Sequence, residues 1–329
     1  MLLPESTSGN LWAIVLAGGG GKRISQFVEH CYGVSTPKQY VAFTGKRSML
    51  QHTVDRVEKL ISAERIRIVA DRSHFDQIRA QLSGKFPGGV VFQPTNRETA
   101  PGVLLPLLEI YKRDPAARVA IFPSDHFVRE EDLFMGYVAL GDRAIQRHPE
   151  KIVILGIRAE EPETDYGWIE PGGLLKKMSG LGVRRVVRFL EKPDSASAMI
   201  YYKKGFLWNT FVTLTKARTL LRLAQRHLPR VWDHFKRMIP AIGTDKEASI
   251  VESEYRFMQG ATLSHGILER CPSRISVIEV KNVFWSDWGT SDRVISTLKR
   301  IGKLPAHLHG IAPSSGCSDF VSKDRMLAI

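Results

Sequence analysis

Cysteine is scarce in this chain of 329 residues, which carries only Cys31, Cys271 and Cys317. The three are odd in number and lie far apart in the sequence. They therefore provide neither the framework of a disulfide-stapled domain nor a CxxC metal motif. Free thiols are typical of a reducing compartment, so the cysteine usage predicts a cytoplasmic protein.

The sequence also lacks long apolar runs. The longest apolar run near its start, at residues 12–16, is too short to span a membrane, and no signal-peptide cleavage pattern accompanies it. We therefore expect no membrane partner.

No long basic arm is present either, although Lys and Arg total 47 against 34 Asp and Glu, a formal net charge of +13. This excess suits a polyanionic ligand such as a nucleoside triphosphate, and it would also suit a nucleic acid or an acidic membrane surface. The cations occur in short scattered pairs, with no interleaved aromatic platform for single strands. We therefore predict no nucleic-acid partner.

The most informative stretch is the apolar run at residues 12–16, which breaks into four glycines at 18–21, followed by Lys22 and Arg23. Without side chains, the backbone N–H groups of such a loop can close around an anion. Two better-known phosphate loops do not fit. The Walker pattern requires Ser or Thr where Arg23 stands and Gly where Leu16 stands, and the dinucleotide fingerprint requires Gly in place of Arg23.

The first half of the chain alternates short apolar runs with helical patterns. Its predicted strands lie at 12–16, 66–70, 90–93, 118–122 and 152–157. This alternation predicts an α/β fold with a Rossmann-like, mostly parallel sheet flanked by helices. Such sheets bind ligands at the carboxyl ends of their strands. After residue 163 the rhythm changes, with helical stretches at about 215–227, 230–239 and 246–258 before the final strands at 275–280 and 283–285.

Two carboxylates follow predicted strands. Asp125, in FPSDH, comes after the strand at 118–122, and Asp287, in WSDWG, comes after the last strand. A lone aspartate in such a place is usually a turn or cap residue. Two that are brought together by the fold can hold Mg²⁺ through oxygen ligands and leave room for phosphate oxygens.

The glycine loop and the PKQ at residues 37–39 resemble the LAGG-x-G-x-R and PKQ signature of sugar-1-phosphate nucleotidyltransferases, with PKQ in the form of the mannose-1-phosphate guanylyltransferase branch. The resemblance implies a nucleotide-diphospho-sugar transferase type of fold. It also implies attack of a sugar-1-phosphate oxygen on the α-phosphorus of a nucleoside triphosphate. Arg23 would face the triphosphate and Lys38 would lie between the two phosphate groups, which makes both candidate catalytic residues. Asp125 and Asp287 would bind the Mg²⁺ cofactor.

The resemblance also assigns binding residues, in the order in which the family's motifs occur. The nucleotide would be bound by Leu16, Ala17, Gly18, Gly19, Gly20, Gly21, Arg97, Glu98, Thr99 and Pro101. The sugar phosphate would be bound by Gly167, Glu191, Lys192 and Asn209. Thr99 is also a predicted N-cap of the helix that follows it.

The chain departs from the family pattern at several positions. Asp165 replaces a glycine in ETDYGWIE, Phe211 replaces a glycine in WNTFV, and Glu98 stands where the family usually has Asn. Glu98 could accept both hydrogen bonds of the guanine N1–H and N2–H₂ edge. It could equally lie near a helix N-terminus, or pair with Arg97.

The sequence thus predicts a flexible N-terminus at 1–10, a catalytic domain at 11–301 whose sugar-binding part spans about 160–290, and a short tail at 302–329. The expected substrates are GTP and mannose-1-phosphate, giving GDP-mannose and pyrophosphate. A different base or hexose phosphate, and a silent nucleotide-sugar-binding regulator, remain alternatives, and a homodimer is left open.

Overall fold

We describe the protein from a computed structural model, in which residues 9–82 and 89–308 are described. The predicted flexible segment therefore lies outside the described residues up to residue 8, and the predicted tail does so from residue 309, including Cys317. The strands are β1 (Leu11–Leu16), β2 (Ile66–Asp71), β3 (Val90–Gln93), β4 (Arg118–Pro123), β5 (Phe127–Val128), β6 (Ile152–Arg158), β7 (Gly167–Leu174), β8 (Val183–Glu191), β9 (Leu207–Lys216), β10 (Ile275–Val280) and β11 (Trp285–Ser286).

Helices cover both faces of the sheet, as predicted. They are α1 (Ser25–Tyr32), α2 (Met49–Glu58), α3 (Phe75–Leu82), α4 (Thr99–Arg113), α5 (Glu131–Arg147), α6 (Ser195–Lys203), α7 (Ala217–His227), α8 (Pro229–Met238), α9 (Glu247–Phe257) and α10 (Ser291–Arg300). None of the helices in these two ranges is long and apolar enough to cross a membrane.

Nine strands form one sheet in the order β3-β2-β1-β4-β9-β6-β10-β8-β7. The predicted parallel pairing holds among β1 to β4, and again between β6 and β10. However, β9 runs antiparallel to both of its neighbours, β4 and β6, and β8 is antiparallel to β7 and β10. The strands of the predicted sugar-binding part therefore complete the nucleotide-binding sheet and make it mixed.

Apolar side chains bury each face of this sheet. One core cluster joins α2 and α5 to the sheet, and a second joins α4, α7, α8 and α9 to the opposite face. A third, smaller cluster packs α1 and α10 around Trp288, which is 1% exposed. The residue that follows Asp287 is thus anchored in a core.

Two helices were not predicted, because their sequence signals are weak. In α6 only Ala198 is buried, and Met199, Ile200 and Tyr202 are exposed, so the helix has no apolar stripe at helical spacing. Its start is marked by Asp194, whose side chain accepts a hydrogen bond from Ser197 N. The other helix, α1, lies in the spacer after the glycine loop.

Candidate active site

The glycine loop follows β1, and its carbonyl groups are tied down by neighbouring side chains. Gln39 Nε2 donates to the carbonyl oxygens of Ala17 and Gly19, at 2.9 and 2.7 Å, and Tyr40 Oη also donates to that of Ala17. Asn96 Nδ2 donates to the carbonyl oxygen of Gly18 at 2.9 Å. Within the described chain, the N–H groups of the four glycines make no hydrogen bond, so the loop can offer donors to an anion.

Gly21 explains why the loop must contain glycine. Its φ is +61°, and a Cβ on it would lie only 2.8 Å from the backbone N of Lys38. This close approach brings the PKQ segment directly under the loop. The motif therefore contributes through Gln39 and Tyr40, which hold the loop, as well as through Lys38.

Lys38 is buried, with 5% of its surface exposed, and it connects the two candidate metal ligands. Its Nζ lies 2.9 Å from Asp125 Oδ2, and it donates to the backbone carbonyl oxygens of Asp287 and Trp288 at 2.6 and 3.2 Å. Burial alone would raise the pKa of Asp125, but the charges of Lys38 and His126 hold that pKa below its usual value. Asp125 is therefore ionised at neutral pH.

A short ladder positions the two aspartates. Strand β11 pairs antiparallel with β5, with Ser286 opposite Phe127. Asp287 follows this pair directly and Asp125 precedes it by two residues, so the two meet at the mouth of the sheet. The predicted last strand thus belongs to a separate two-stranded sheet.

One oxygen of Asp287 is saturated with donors. Its Oδ1 accepts hydrogen bonds from Tyr166 Oη at 2.9 Å and from Gly289 N at 2.8 Å, and it lies 3.2 Å from Arg293 Nε. Burial raises the pKa of the Tyr166 hydroxyl, which keeps this donor protonated. Near the other oxygen, Oδ2, lies Arg23, at 4.0 Å. An open carboxylate oxygen is what a hard cation requires.

The pair of carboxylates fits Mg²⁺. Asp125 has its Oδ2 paired with Lys38, while Oδ1 lies 3.7 Å from His126 Nε2. Among residues 9–82 and 89–308, no group of three or more acidic, His or Cys side chains gathers in metal-binding geometry. The remaining ligands of a cation here would therefore be water and phosphate oxygens, as is usual for Mg²⁺ at phosphate-transfer sites.

Arg23 and Arg293 show a feature that the sequence did not reveal. Arg23 Nη1 pairs with Asp165 Oδ2 at 2.9 Å, so the replacement of a glycine by Asp165 links the nucleotide loop to the predicted sugar loop. Arg293 pairs with the same carboxylate at 3.2 Å, and also with Glu163 and Asp287. Burial would lower the pKa of Arg293, but its carboxylate neighbours raise it.

Arg293 is thus a site residue that sequence reasoning missed. It lies near the start of α10, where Thr290 accepts a hydrogen bond from its backbone N. Its guanidinium also lies over the ring of Tyr166, 4.7 Å from the ring centre. The only sequence signal was its place six residues after Asp287, which does not distinguish it from an ordinary surface arginine.

On the predicted sugar side, the structure brings together Gly167, Glu191 and Asn209. A Cβ on Gly167 would lie 2.7 Å from Glu191 Oε2 and 3.4 Å from the Cβ of Asn209. Burial raises the pKa of Glu191. Lys192 follows with φ of 47°, and its N donates to the carbonyl oxygen of Tyr166. Phe211, which stands in place of a glycine, has a left-handed backbone with φ of 67°, a region that favours glycine.

The predicted base-recognising turn at residues 97–99 makes different contacts from those that the sequence predicted. Arg97 donates to the carbonyl oxygens of Tyr255 and Arg256, both at 3.0 Å, and makes no ion pair with Glu98. Thr99 is the first residue of α4 and not its N-cap, because its hydroxyl accepts a hydrogen bond from Leu263 N. Glu98 occupies the cap position with φ of 67°, and its side chain makes no capping bond. The side chain of Glu98 is exposed and pairs with no cation in the described chain.

The ring of His126 packs edge-on against Trp285, with ring centres 5.2 Å apart. Burial lowers the pKa of its imidazole, which favours the neutral form. Cys31 and Cys271 are free and buried. Burial also raises the pKa of both thiols, so neither is an activated nucleophile.

Comparisons with known proteins identify the family. The family model described as Nucleotidyl transferase matches residues 12–303. The xanthan biosynthesis protein XanB of Xanthomonas campestris pv. campestris (strain B100) is 28% identical, over 96% of this chain and 65% of its own length. The mannose-1-phosphate guanylyltransferase of Escherichia coli (strain K12) is 26% identical, over 85% of this chain and 58% of its own. The chain thus spans less than two thirds of both relatives.

A solved structure shares the fold. It is titled mannose-1-phosphate geranyltransferase, from Thermus thermophilus, and it superimposes with a TM-score of 0.75 at 26% identity. The similarity covers 91% of this chain and 81% of that one.

Proposed function

The chain belongs to the nucleotidyl transferase family, and from this premise we propose that it transfers a nucleotidyl group from a nucleoside triphosphate to a sugar-1-phosphate. A phosphate oxygen of the sugar attacks the α-phosphorus, the bond to the β-phosphate bridging oxygen breaks, and pyrophosphate leaves. The attacking oxygen is already ionised, so the reaction needs charge neutralisation and alignment more than a general base.

One observation carries this proposal. Lys38 lies beneath the glycine loop, between the carboxylate of Asp125 and the backbone of Asp287. A buried cation that contacts one carboxylate and the backbone of the residue carrying the other forms a site in which positive charge can neutralise one phosphate group while the acids bind a metal. Asp125 and Asp287 would hold Mg²⁺, and when bound the ion would supply Lewis-acid stabilisation of the phosphate charge.

The protein's own groups would align the two substrates. The free N–H groups of residues 18–21 would bind the triphosphate, with Arg23 beside them as a forked donor. Glu191 and Asn209 would bind sugar hydroxyls, and Lys192 the sugar phosphate. Gly167 leaves the backbone of β7 open to the sugar, because a side chain there would collide with Glu191.

We further propose GTP and mannose-1-phosphate as the substrates, with GDP-mannose as the product. The E. coli relative named mannose-1-phosphate guanylyltransferase supports this choice. Glu98 supports it too, since its carboxylate is exposed and free of Arg97. The test is a pyrophosphate-release screen over four nucleoside triphosphates and several hexose-1-phosphates with Mg²⁺. GTP with mannose-1-phosphate should be fastest; release with no pair would contradict transferase activity and favour a silent binder.

Glu98→Gln tests the assignment of the base. The variant keeps the size of the side chain but offers guanine one acceptor in place of two, so its preference for GTP over ATP should fall by about 1–3 kcal/mol. The measurement is kcat/KM for both nucleotides. Glu64→Gln, which changes an exposed carboxylate before β2, is the control. Unchanged selectivity would remove Glu98 from base recognition and leave the transfer reaction standing.

Asp165→Asn tests the contact between the two loops. In the wild type, Arg23 must exchange the Asp165 carboxylate for phosphate oxygens when the nucleotide binds. Because exposed ion pairs contribute about 0.2–1 kcal/mol, the KM for the nucleotide should fall by roughly 1.5- to 5-fold. The neighbouring Glu161→Gln should leave KM unchanged. A higher KM in the Asp165 variant would mean that this carboxylate assists nucleotide binding.

A further inference from the structure

A second concave site lies far from the proposed active site. It is a cavity of about 640 Å³, and six of its thirteen lining residues are Lys or Arg. We call it the basic pocket, and its cations are Lys216, Arg218, Arg222, Arg226, Arg270 and Arg274. Among the described residues that line it, Glu150 alone is acidic.

The basic pocket lies at the opposite ends of the strands from the glycine loop. Lys216 ends β9 opposite Arg118, the first residue of β4, whereas Asp125 follows the other end of β4. A strand of six residues is roughly 20 Å long. The basic pocket is therefore separate from the groups that would bind the triphosphate.

Helix α7 concentrates its charge on one stripe. Arg218, Arg222 and Arg226 are spaced four residues apart, so their side chains line up on the exposed face, while Leu220 and Ala224 are buried on the other. Like charges at this spacing destabilise a helix by about 0.2–0.5 kcal/mol per pair. The spacing therefore costs helix stability, although Arg226 is favourably placed in the last turn of α7.

These arginines lack the acidic partners that several other arginines have. Arg47 pairs with Asp55, Arg188 with Glu170 and Arg237 with Glu254. In the described parts of the chain, by contrast, no carboxylate lies within ion-pair distance of the basic pocket's cations, and Glu150 is engaged with His148. His227, which also lines the basic pocket, responds to this positive charge. Its pKa is lowered first by burial and then by the charges of Arg226 and Arg270.

From this cluster we infer that the basic pocket binds a small polyphosphate, either an inorganic chain of two or three phosphate groups or the same chain at the end of a nucleotide. Several guanidinium groups around one cavity match the oxygens of adjacent phosphates with paired donors. The described lining contains no Phe, Tyr or Trp, so it offers no surface on which nucleic-acid bases would stack. Its concave shape favours a compact anion over a flat lipid surface.

Calorimetric titration of the full chain with inorganic tripolyphosphate, in EDTA, tests this inference. Arg222→Gln with Arg226→Gln is the pocket variant. The control, Arg79→Gln with Lys204→Gln, removes two exposed charges from other faces. Any binding at the glycine loop is common to both, so the comparison isolates the basic pocket. We expect the pocket variant to bind tripolyphosphate about 10- to 100-fold more weakly than the control, since charged hydrogen bonds are lost.

A third variant, Arg222→Lys with Arg226→Lys, keeps the charge and loses the forked donors, so it should bind with intermediate affinity. Equal affinity of the pocket variant and the control would overturn the inference. The inference would also be overturned if the pocket variant lost affinity only for a single-stranded oligonucleotide or for anionic vesicles, and not for tripolyphosphate. A parallel titration with guanosine triphosphate shows whether the basic pocket prefers a nucleotide or the inorganic chain. The titration measures binding in the absence of metal and does not depend on turnover. The comparison between the pocket variant and the control therefore stays valid even if the pyrophosphate-release screen fails.

Discussion

Asp287→Asn should reduce turnover by on the order of 10²-fold or more while the fold survives. The contacts of Asp287 indicate that this substitution removes a metal ligand and keeps the contacts that support the fold. The Oδ1 of Asp287 accepts from Tyr166 and Gly289 and lies near Arg293, and an asparagine retains one oxygen for these donors. The open Oδ2 is what the amide nitrogen replaces, and an amide nitrogen is not a ligand for Mg²⁺.

The measurement is the rate of pyrophosphate release as a function of Mg²⁺ concentration, with the melting temperature as the check on folding. Asp245→Asn, in an exposed turn before α9, is the matched control and should behave as the wild type. A variant of Asp287 with near wild-type turnover at saturating Mg²⁺ would exclude this carboxylate as a metal ligand.

Lys38→Ala should lower kcat/KM by at least as much, because the site loses the buried cation that contacts both aspartates. A stability loss of about 1–3 kcal/mol should accompany it, since Asp125 and the carbonyl oxygens of Asp287 and Trp288 lose a charged donor. The sequence alone gave no reason to expect this loss, because nothing in the PKQ segment indicates that Lys38 is buried. The exposed Lys22→Ala is the control and should change neither quantity.

The difference in unfolding free energy between the wild type and Lys38→Ala should depend on pH, and the direction of this dependence can be predicted. Lys38 lowers the pKa of Asp125, so the pair stabilises the folded state above the unfolded pKa of aspartate, about 3.9. That contribution is lost as the pH falls through the lowered folded value. Denaturant unfolding at pH 7 and below pH 4 should therefore show a gap between wild type and Lys38→Ala that narrows in acid. A gap that is constant with pH would mean that Asp125 does not depend on Lys38.

The fold was largely predictable because its strands and helices carry strong local patterns. Short apolar runs located β1, β2, β4 and β6, and helical periodicity located α2, α7, α8 and α9. The direction of β9 was not predictable. Its apolar residues would fit either orientation, and only its pairing with β4 and β6 decides that the sheet becomes mixed.

The position of a candidate site residue was predictable where the residue belongs to a recognisable motif. Asp125, Asp287, Lys38 and the glycine loop lie where such motifs indicated. Arg97 shows the limit, since its neighbourhood in the sequence favoured a ligand or Glu98, whereas its guanidinium is satisfied by the carbonyl groups of Tyr255 and Arg256, about 160 residues away.

The sequence by itself determined the chemistry that this chain can offer: a loop of bare backbone donors, two strand-end carboxylates and an excess of cations. Only the tertiary structure decided which charges meet. Arg23 and Asp165 are 142 residues apart, and Arg293 and Glu163 are 130 apart. Coulomb energy depends on distance in space and on burial, neither of which a local pattern contains. For the same reason, only the packing of α7 against the sheet showed that its arginines lie beside Lys216, Arg270 and Arg274.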